Sequence, residues 1–382
     1  MRNKIALIDS VAARGGSHHF YLFGQAKGLM ANGMKVSLFT NDITNNPNID
    51  GLNVHHYYKG IFGRKSNLIA GFLYLIGSMR SIFHAKFIGS HICHFHLFHV
   101  NFLVVFDLLL TRFLGMKVVY TIHDVVSNLK KTQSNKRLVS LVLKCASKIL
   151  THNEYSKNQL YHLFGKIKNN ISIVPHGNYI PFINLSEGQI YSRKKLGLPK
   201  DKKILLFFGM IKRVKGLEIV LEALALVKEE HKDIVLVIAG KAWEDEFSVY
   251  QDIIDKHNLN DICIIRNQYI PSEEVNHYFA STDLVVLPYK QISQSGVLMM
   301  ALSYQRPVLC SDLPPFKELI NDGVTGFLFE SESIASLVDK MSFIFNNNAL
   351  LHKVTDQGFK LIKNKYNWNT IGALLKRSYH SL

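Results

Sequence analysis

The sequence predicts an α/β protein made of two doubly wound domains in tandem. Short, almost wholly apolar runs alternate with helical segments, the pattern of parallel strands covered on both faces. The alternation breaks once, in a polar, Lys-rich stretch from Pro181 to Lys202 that reads as a linker, and then restarts. A length of 382 residues exceeds one ordinary core. It suits two domains of ~150–200 residues each.

In the first half the strand-like runs are Lys4–Asp9, Lys35–Thr40, Asn53–Tyr57, His91–His96, Lys117–Ile122, Lys148–Thr151 and Ile171–Pro175. Between the first two, His18 to Asn32 carries Phe20, Phe23, Ala26, Leu29 and Met30 at helical spacing and stops near Gly33, so the chain opens on a βαβ unit. After the break, Lys203–Phe208, Ile234–Ala239, Ile262–Arg266, Asp283–Leu287 and Pro307–Ser311 read as strands. Helices are expected at Leu217–Glu229 and near Glu246–His257. The expected domains are therefore 1–185 and 200–365. In the tail 366–382, the amphipathic run from Trp368 to Tyr379 is expected to pack back on the first domain.

A hydrophobic content of 47% with 19% charged residues describes a packed protein. The net charge of +16 favours an anionic partner: nucleic acid, an acidic membrane surface or a phosphorylated substrate. No recognised nucleic-acid motif accompanies the charge, so no nucleic-acid partner is expected. Cys93, Cys263 and Cys310 lie in runs that read as buried strands, and Cys145 is far from all three. Reduced thiols and a cytoplasmic location follow. The apolar run after Met1 is too short for a signal peptide. Ser66 to Met79 is uncharged but shorter than the ~20 residues of a spanning helix, and Asn101 and Asp107 interrupt Phe98 to Leu110. Gly60 to Lys86 sets Arg64, Lys65, Arg80 and Lys86 among Phe72, Leu73, Leu75 and Ile76. That composition suits either a helix lying in an anionic membrane interface or a buried helix of the first domain.

Ligands of open α/β sheets bind beyond the carboxyl ends of the strands, which directs attention to four loops. Gly15, Gly16 and Ser17 follow the first strand and lead into a helix, where backbone amides can approach an anion; a plain tight turn is the alternative. His18 and His19 read equally well as surface residues. His123 and Asp124 close the run Tyr120-Thr-Ile-His-Asp124, where an imidazole can hydrogen-bond a sugar or shuttle a proton. In the third loop, Lys212, Arg213 and Lys215 gather cations at a helix amino terminus, against the preference of the helix dipole; a bound diphosphate would fit there, and a solvated basic turn is the alternative. In the fourth, Ser295 can cap the apolar helix at Leu298–Leu302, and Gly296 leaves its first amides open to a phosphate.

The order of these loops resembles the GT-B glycosyltransferases of family 4 over nearly the whole chain, most closely from Leu205 to Phe329. Gly209 through Gly216 looks like the family's G-R-L-x-x-x-K-G segment. Ser295 through Val308 looks like its S-G-V-L-L-E-A-M-A-x-G-x-P-V segment, and Asp322 through Phe329 like its N-G-x-T-G-x-L-F turn. Gly15-Gly16, His123 and His176-Gly177 fall where the family has its Gly-rich loop, its donor-side His and its P-H-G segment. Ile292 and Met300 stand where the family commonly has two glutamates, and Met210 where it has a phosphate-contacting Arg.

The resemblance implies two Rossmann-like domains facing across a cleft, with the acceptor on the first and a nucleotide-sugar donor on the second. The donor contacts would be Gly209, Lys212, Arg213, Lys215, Gln294, Ser295, Gly296 and Val297. His123 and Asp124 would serve catalysis, and Gly15, Gly16 and Ser17 the acceptor side. It further implies retaining transfer to a saccharide or polyprenyl-linked saccharide in surface polysaccharide assembly, peripheral to the inner face of the cell membrane. Neither a metal nor a cofactor other than the donor co-substrate is called for. A nucleotide-sugar 2-epimerase of the same fold, or a non-catalytic sugar-nucleotide-binding homologue suggested by Met210 and Met300, are the alternatives.

Overall fold

A computed structural model describes residues 3–15, 18–63, 66–125, 136–165, 171–243 and 246–382. The chain divides into two compact units: residues up to Gly177 together with Tyr366–Leu382, and Asn178–Lys365.

The first unit is built on a parallel seven-stranded sheet in the order β3-β2-β1-β4-β5-β6-β7. Its strands are β1 (Lys4–Ile8), β2 (Lys35–Asn41), β3 (Asn53–Tyr58), β4 (Ile92–Leu97), β5 (Lys117–Ile122), β6 (Lys148–Thr151) and β7 (Ile171–Ile173). Helices α1 (His18–Ala31), α2 (Asn67–Phe87), α3 (Phe102–Phe113), α4 (Lys136–Cys145) and α5 (Glu154–Phe164) connect them. The apolar strands are buried on both faces, with Ile8, Phe39, Cys93, Phe95, Val118 and Ile122 in one core. The strand order reverses direction between β1 and β4, so the loops after these two strands border the crevice where doubly wound sheets take ligands.

The second unit carries a parallel six-stranded sheet in the order β10-β9-β8-β11-β12-β13. Its helices and strands alternate as α6 (Gln189–Leu196), β8 (Lys203–Phe208), α7 (Leu217–Val227), β9 (Ile234–Ala239), α8 (Ser248–Lys256), β10 (Cys263–Arg266), α9 (Ser272–Ser281) and β11 (Leu284–Leu287). They continue as α10 (Gly296–Ser303), β12 (Val308–Ser311), α11 (Pro314–Lys317), β13 (Phe327–Phe329), α12 (Ile334–Phe345) and α13 (Asn348–Lys365). Here the order reverses between β8 and β11. Both sheets are wound as the apolar runs predict, and the fold is the expected pair of doubly wound α/β units.

The last helix, α14 (Trp368–His380), belongs to the first unit and packs on α1. The two backbones touch: a Cβ on Gly28 would lie 2.1 Å from the Trp368 carbonyl oxygen, and one on Gly372 would lie 2.0 Å from that of Gly28. The Trp368 indole fills the space that side chains at Gly24 and Gly177 would need.

Four expectations are corrected. Residues 181–202 are not a bare linker, because α6 lies inside them and is held by Arg193, whose Nη2 reaches Asp283 Oδ2 at 2.5 Å and whose Nε donates to the Ser281 carbonyl. The boundary between units accordingly falls at Gly177/Asn178, ahead of the expected 185. The turn read at 322–329 ends in a strand, β13, paired in parallel with β12. The uncharged run at 66–79 belongs to a helix of 21 residues, long and apolar enough to cross a membrane by length and composition. On that helix Leu73, Leu75 and Ile76 are half-buried and Phe72 is exposed; Arg64 and Lys65 lie outside the described residues.

Candidate functional site

In the second unit the two loops at the β8/β11 reversal carry the predicted donor residues. After β8 the chain passes Gly209, whose φ of +103° lies in the region glycine favours, and reaches a 3-10 turn at Arg213–Lys215. Gly216 ends that turn at φ +67°, and a Cβ there would lie 2.0 Å from the Pro288 carbonyl oxygen. Only glycine therefore lets the β8 loop lie against the β11 loop. Lys290 reinforces this approach, donating its backbone N–H to the Val214 carbonyl at 2.9 Å and pairing through Nζ with Glu218 in the first turn of α7.

Cations line the approach. Lys215 Nζ sits 3.6 Å above the ring centroid of Tyr289, a buried phenol whose pKa burial pushes up. Lys212 Nζ lies 5.9 Å over the Trp243 ring, and Arg213 is exposed. From the other loop, Ser295 caps α10 by accepting from Leu298 N at 3.1 Å. The amides of Gly296 and Val297 precede the first bond of that helix, Met299 N to the Ser295 carbonyl at 3.3 Å. Gln294 Nε2 is enclosed and has no hydrogen-bond partner among the described residues. A buried donor left without an acceptor is costly, and an anionic ligand oxygen would relieve it. The predicted set Gly209, Lys212, Arg213, Lys215, Gln294, Ser295, Gly296 and Val297 thus lies on two touching loops that can hold a diphosphate.

In the first unit the loop after β5 places His123 in a chain of imidazoles. Its Nε2 is 2.8 Å from His96 Nδ1 on β4, and its Nδ1 is 3.0 Å from His152 Nε2 beyond β6. His152 Nδ1 donates to the Val174 carbonyl at 3.0 Å, which leaves His152 Nε2 to accept. For a neutral ring His123 Nδ1–H then donates to His152, leaving His123 Nε2 as an acceptor. The side-chain amide of Gln25 bridges His96 Nε2 and His94 Nδ1, and His94 Nε2 meets the Thr121 hydroxyl at 2.7 Å. Burial pushes His94 and His176 down to about 3 and His152 to about 4, and drives His96 and His123 well below the usual imidazole range.

Both ring nitrogens of His123 face other imidazoles, and burial disfavours its charged form. His18, for which a surface position was the equal alternative, is half-buried and donates from Nε2 to Asp9 Oδ2 at 2.9 Å. Asp9 also accepts from the amides of Val11 and Ala12, tying the Gly15 loop to the end of β1. Asp124 is half-buried beside His123. Gly15 ends the 3-10 turn Ala12–Gly15; Gly16 and Ser17 lie outside the described residues. One nitrogen from each of His18, His96 and His123 lies within 4.8 Å of the others, the one group among the described residues with metal-ligand spacing. Their hydrogen bonds to one another and to Asp9 would have to give way to an ion.

Comparison with known proteins settles the family. The model for glycosyl transferases group 1 matches residues 189–361, and that for glycosyltransferase family 4 matches residues 19–178. The chain is a GT-B glycosyltransferase of the family 4 type.

The glycosyltransferase is 23% identical over 387 aligned positions to the D-inositol 3-phosphate glycosyltransferase of Arthrobacter sp. (strain FB24), covering 96% of this chain and 90% of the relative. It is 26% identical to the lipopolysaccharide 1,2-N-acetylglucosaminetransferase of Salmonella typhimurium (strain LT2), covering 53% of this chain and 54% of the relative. Among solved structures it is similar to Anabaena HepE in complex with UDP-glucose, with a TM-score of 0.77 at 17% identity over 99% of this chain and 100% of the neighbour.

Within the glycosyltransferase, Met300 is buried in α10, Ile292 is half-buried and Met210 is exposed, so none of the three supplies the polar contact the resemblance anticipates. Sequence reasoning missed Tyr289 beneath Lys215, and it missed the histidine chain. One signal for that chain was present: His94 and His96 are two apart on a strand and so share a face.

Proposed function

We propose that this glycosyltransferase moves a sugar from a nucleoside-diphosphate donor to a saccharide or lipid-linked saccharide, with retention, in bacterial surface polysaccharide assembly at the inner face of the cell membrane. The observation that carries the reading is the close approach, at the β8/β11 reversal, of the β8 loop bearing Lys212, Arg213 and Lys215 to the β11 loop that leads into the capped start of α10. HepE, bound to UDP-glucose, supports a sugar nucleotide as donor, and the Salmonella relative supports a saccharide acceptor.

In this reading the bond from sugar C1 to the diphosphate oxygen breaks, and the electron pair leaves with the nucleoside diphosphate. The growing charge falls to Lys215, its neighbouring cations, the Gln294 amide and the amides of Gly296 and Val297. Their contribution to rate lies in strengthening as that charge develops. The acceptor hydroxyl adds to C1 on the face the diphosphate leaves, and its proton passes to the departing oxygen. No step draws a proton from His123.

Incubation with UDP-, GDP- and ADP-sugars and a lipid-linked saccharide tests this. Transfer of one sugar with its anomeric configuration retained, read by mass spectrometry and NMR, is the expected result. Isomerised donor without transfer, or inversion at C1, contradicts it.

A further inference from the structure

Helix α2 is built inside out. The face it turns inward is small and polar: Gly77, Ser78, Ser81 and Ala85 are buried, and Ile82 is the one large apolar residue with them. Its outward face carries Leu68, Phe72, Phe83 and Phe87, exposed by 51% to 89%. Mean hydropathy reaches 1.4 over an 18-residue window of which only 28% is buried. The adjoining α3 repeats the pattern, with Phe102 and Phe113 exposed by 77% and 86%. Exposed aromatic residues gathered on two touching helices mark an interaction surface.

We infer that the outer face of α2 and α3 docks on an anionic lipid bilayer and lies in its interface. Charge selects this occupant. Every exposed charge on α2, α3 and the neighbouring α4 is positive: Arg80, Lys86, Arg112, Lys136, Arg137 and Lys144. The one carboxylate on these helices, Asp107, is buried and accepts from the Tyr74 hydroxyl at 2.6 Å. A second copy of the chain would bring like charges together across a two-fold contact. Lipid phosphates meet the cations while the aromatic rings enter the acyl boundary.

The helix lies along the surface and does not cross it, because it is fastened to the sheet. Tyr58 donates to or accepts from Ser78 Oγ at 3.1 Å, the Tyr57 hydroxyl meets His84 Nδ1 at 2.8 Å, and a Cβ on Gly77 would lie 2.7 Å from the Tyr58 ring. Crossing would require all of these to be abandoned. The inference deepens the proposed function by placing the enzyme where a lipid-linked acceptor resides. It does not depend on catalysis, and its failure would leave sugar transfer from a nucleotide donor untouched.

Flotation of the full chain with phosphatidylcholine vesicles containing 30% phosphatidylglycerol decides it. The protein should float with these vesicles at about 50 mM salt and largely leave them at about 500 mM. Phe72→Ser with Phe83→Ser, and separately Arg80→Glu with Arg112→Glu, should each lower partitioning at least about tenfold while the melting temperature and soluble-acceptor turnover hold. A Phe72→Trp chain should show a blue-shifted emission on anionic vesicles only. Parent-like partitioning of both double variants, absence of binding at low salt, or a dimer that the Phe variants dissociate without lipid would each overturn the inference.

Discussion

The histidines at the strand ends of the first unit make its stability depend on pH in a definite direction. His94, His152 and His176 have folded-state pKa values of about 3, 4 and 3, below the ordinary imidazole value. The unfolded chain therefore takes up protons that the folded chain refuses. Their contribution is complete above the unfolded value, ~6.5, and is lost as pH falls towards 3–4. Asp107 acts in the opposite sense. Burial raises it to about 7, so its contribution is present at low pH and lost as pH rises through 7. Three histidines outweigh one carboxyl, and the melting temperature at pH 5.0 should lie at least ~4 °C below that at pH 7.5. Equal or higher melting at pH 5.0 would contradict the neutral imidazole chain. Sequence position marked His123 but not its hydrogen-bond partners. The partners His96 and His152 lie 27 and 29 residues away, and only the parallel pairing of β4, β5 and β6 brings them together.

Among the elements, the strands were the most legible, because burial on both faces demands continuous apolar runs; β8 and β9 begin and end where those runs do. Helix α6 was illegible for the opposite reason. Its sequence, Gln-Ile-Tyr-Ser-Arg-Lys-Lys-Leu, has no apolar stripe, and it is anchored through the ion pair of Arg193 with Asp283. Helix α14 was legible as amphipathic, and the structure adds what fastens it: Trp368, 4% exposed, lies on Gly24 and Gly177. Trp368→Ala would leave a cavity bounded by two glycines that cannot fill it. The cost is expected to be ~3–5 kcal/mol, read from urea melts, with hydrogen exchange rising in α14 and α1. A loss below about 1 kcal/mol would mean that the indole is not the fastener.

For the whole molecule, the readings proposed above assign two groups of cations different anionic partners. Lys212, Arg213 and Lys215 lie on the β8 loop of the second unit, where a diphosphate is proposed. Arg80, Lys86 and Arg112 lie on helices that also expose Phe72, Phe83 and Phe113, where an anionic bilayer is proposed. Net charge alone announced an anionic partner without choosing among candidates, since a sum carries no position. The glycines and cations of the loops after β8 and β11 were legible because they are contiguous in sequence. The docking face was legible only in part, because which side of a helix meets the core is decided by its neighbours in space. The account rests on the cradle between the β8 and β11 loops, and calorimetric titration of the full chain and of Lys215→Ala with the nucleoside diphosphate of the preferred donor tests it most directly. Loss of one charged contact to phosphate should weaken binding roughly tenfold to a hundredfold while the unliganded melting temperature is retained. Parent-like affinity in Lys215→Ala would contradict it.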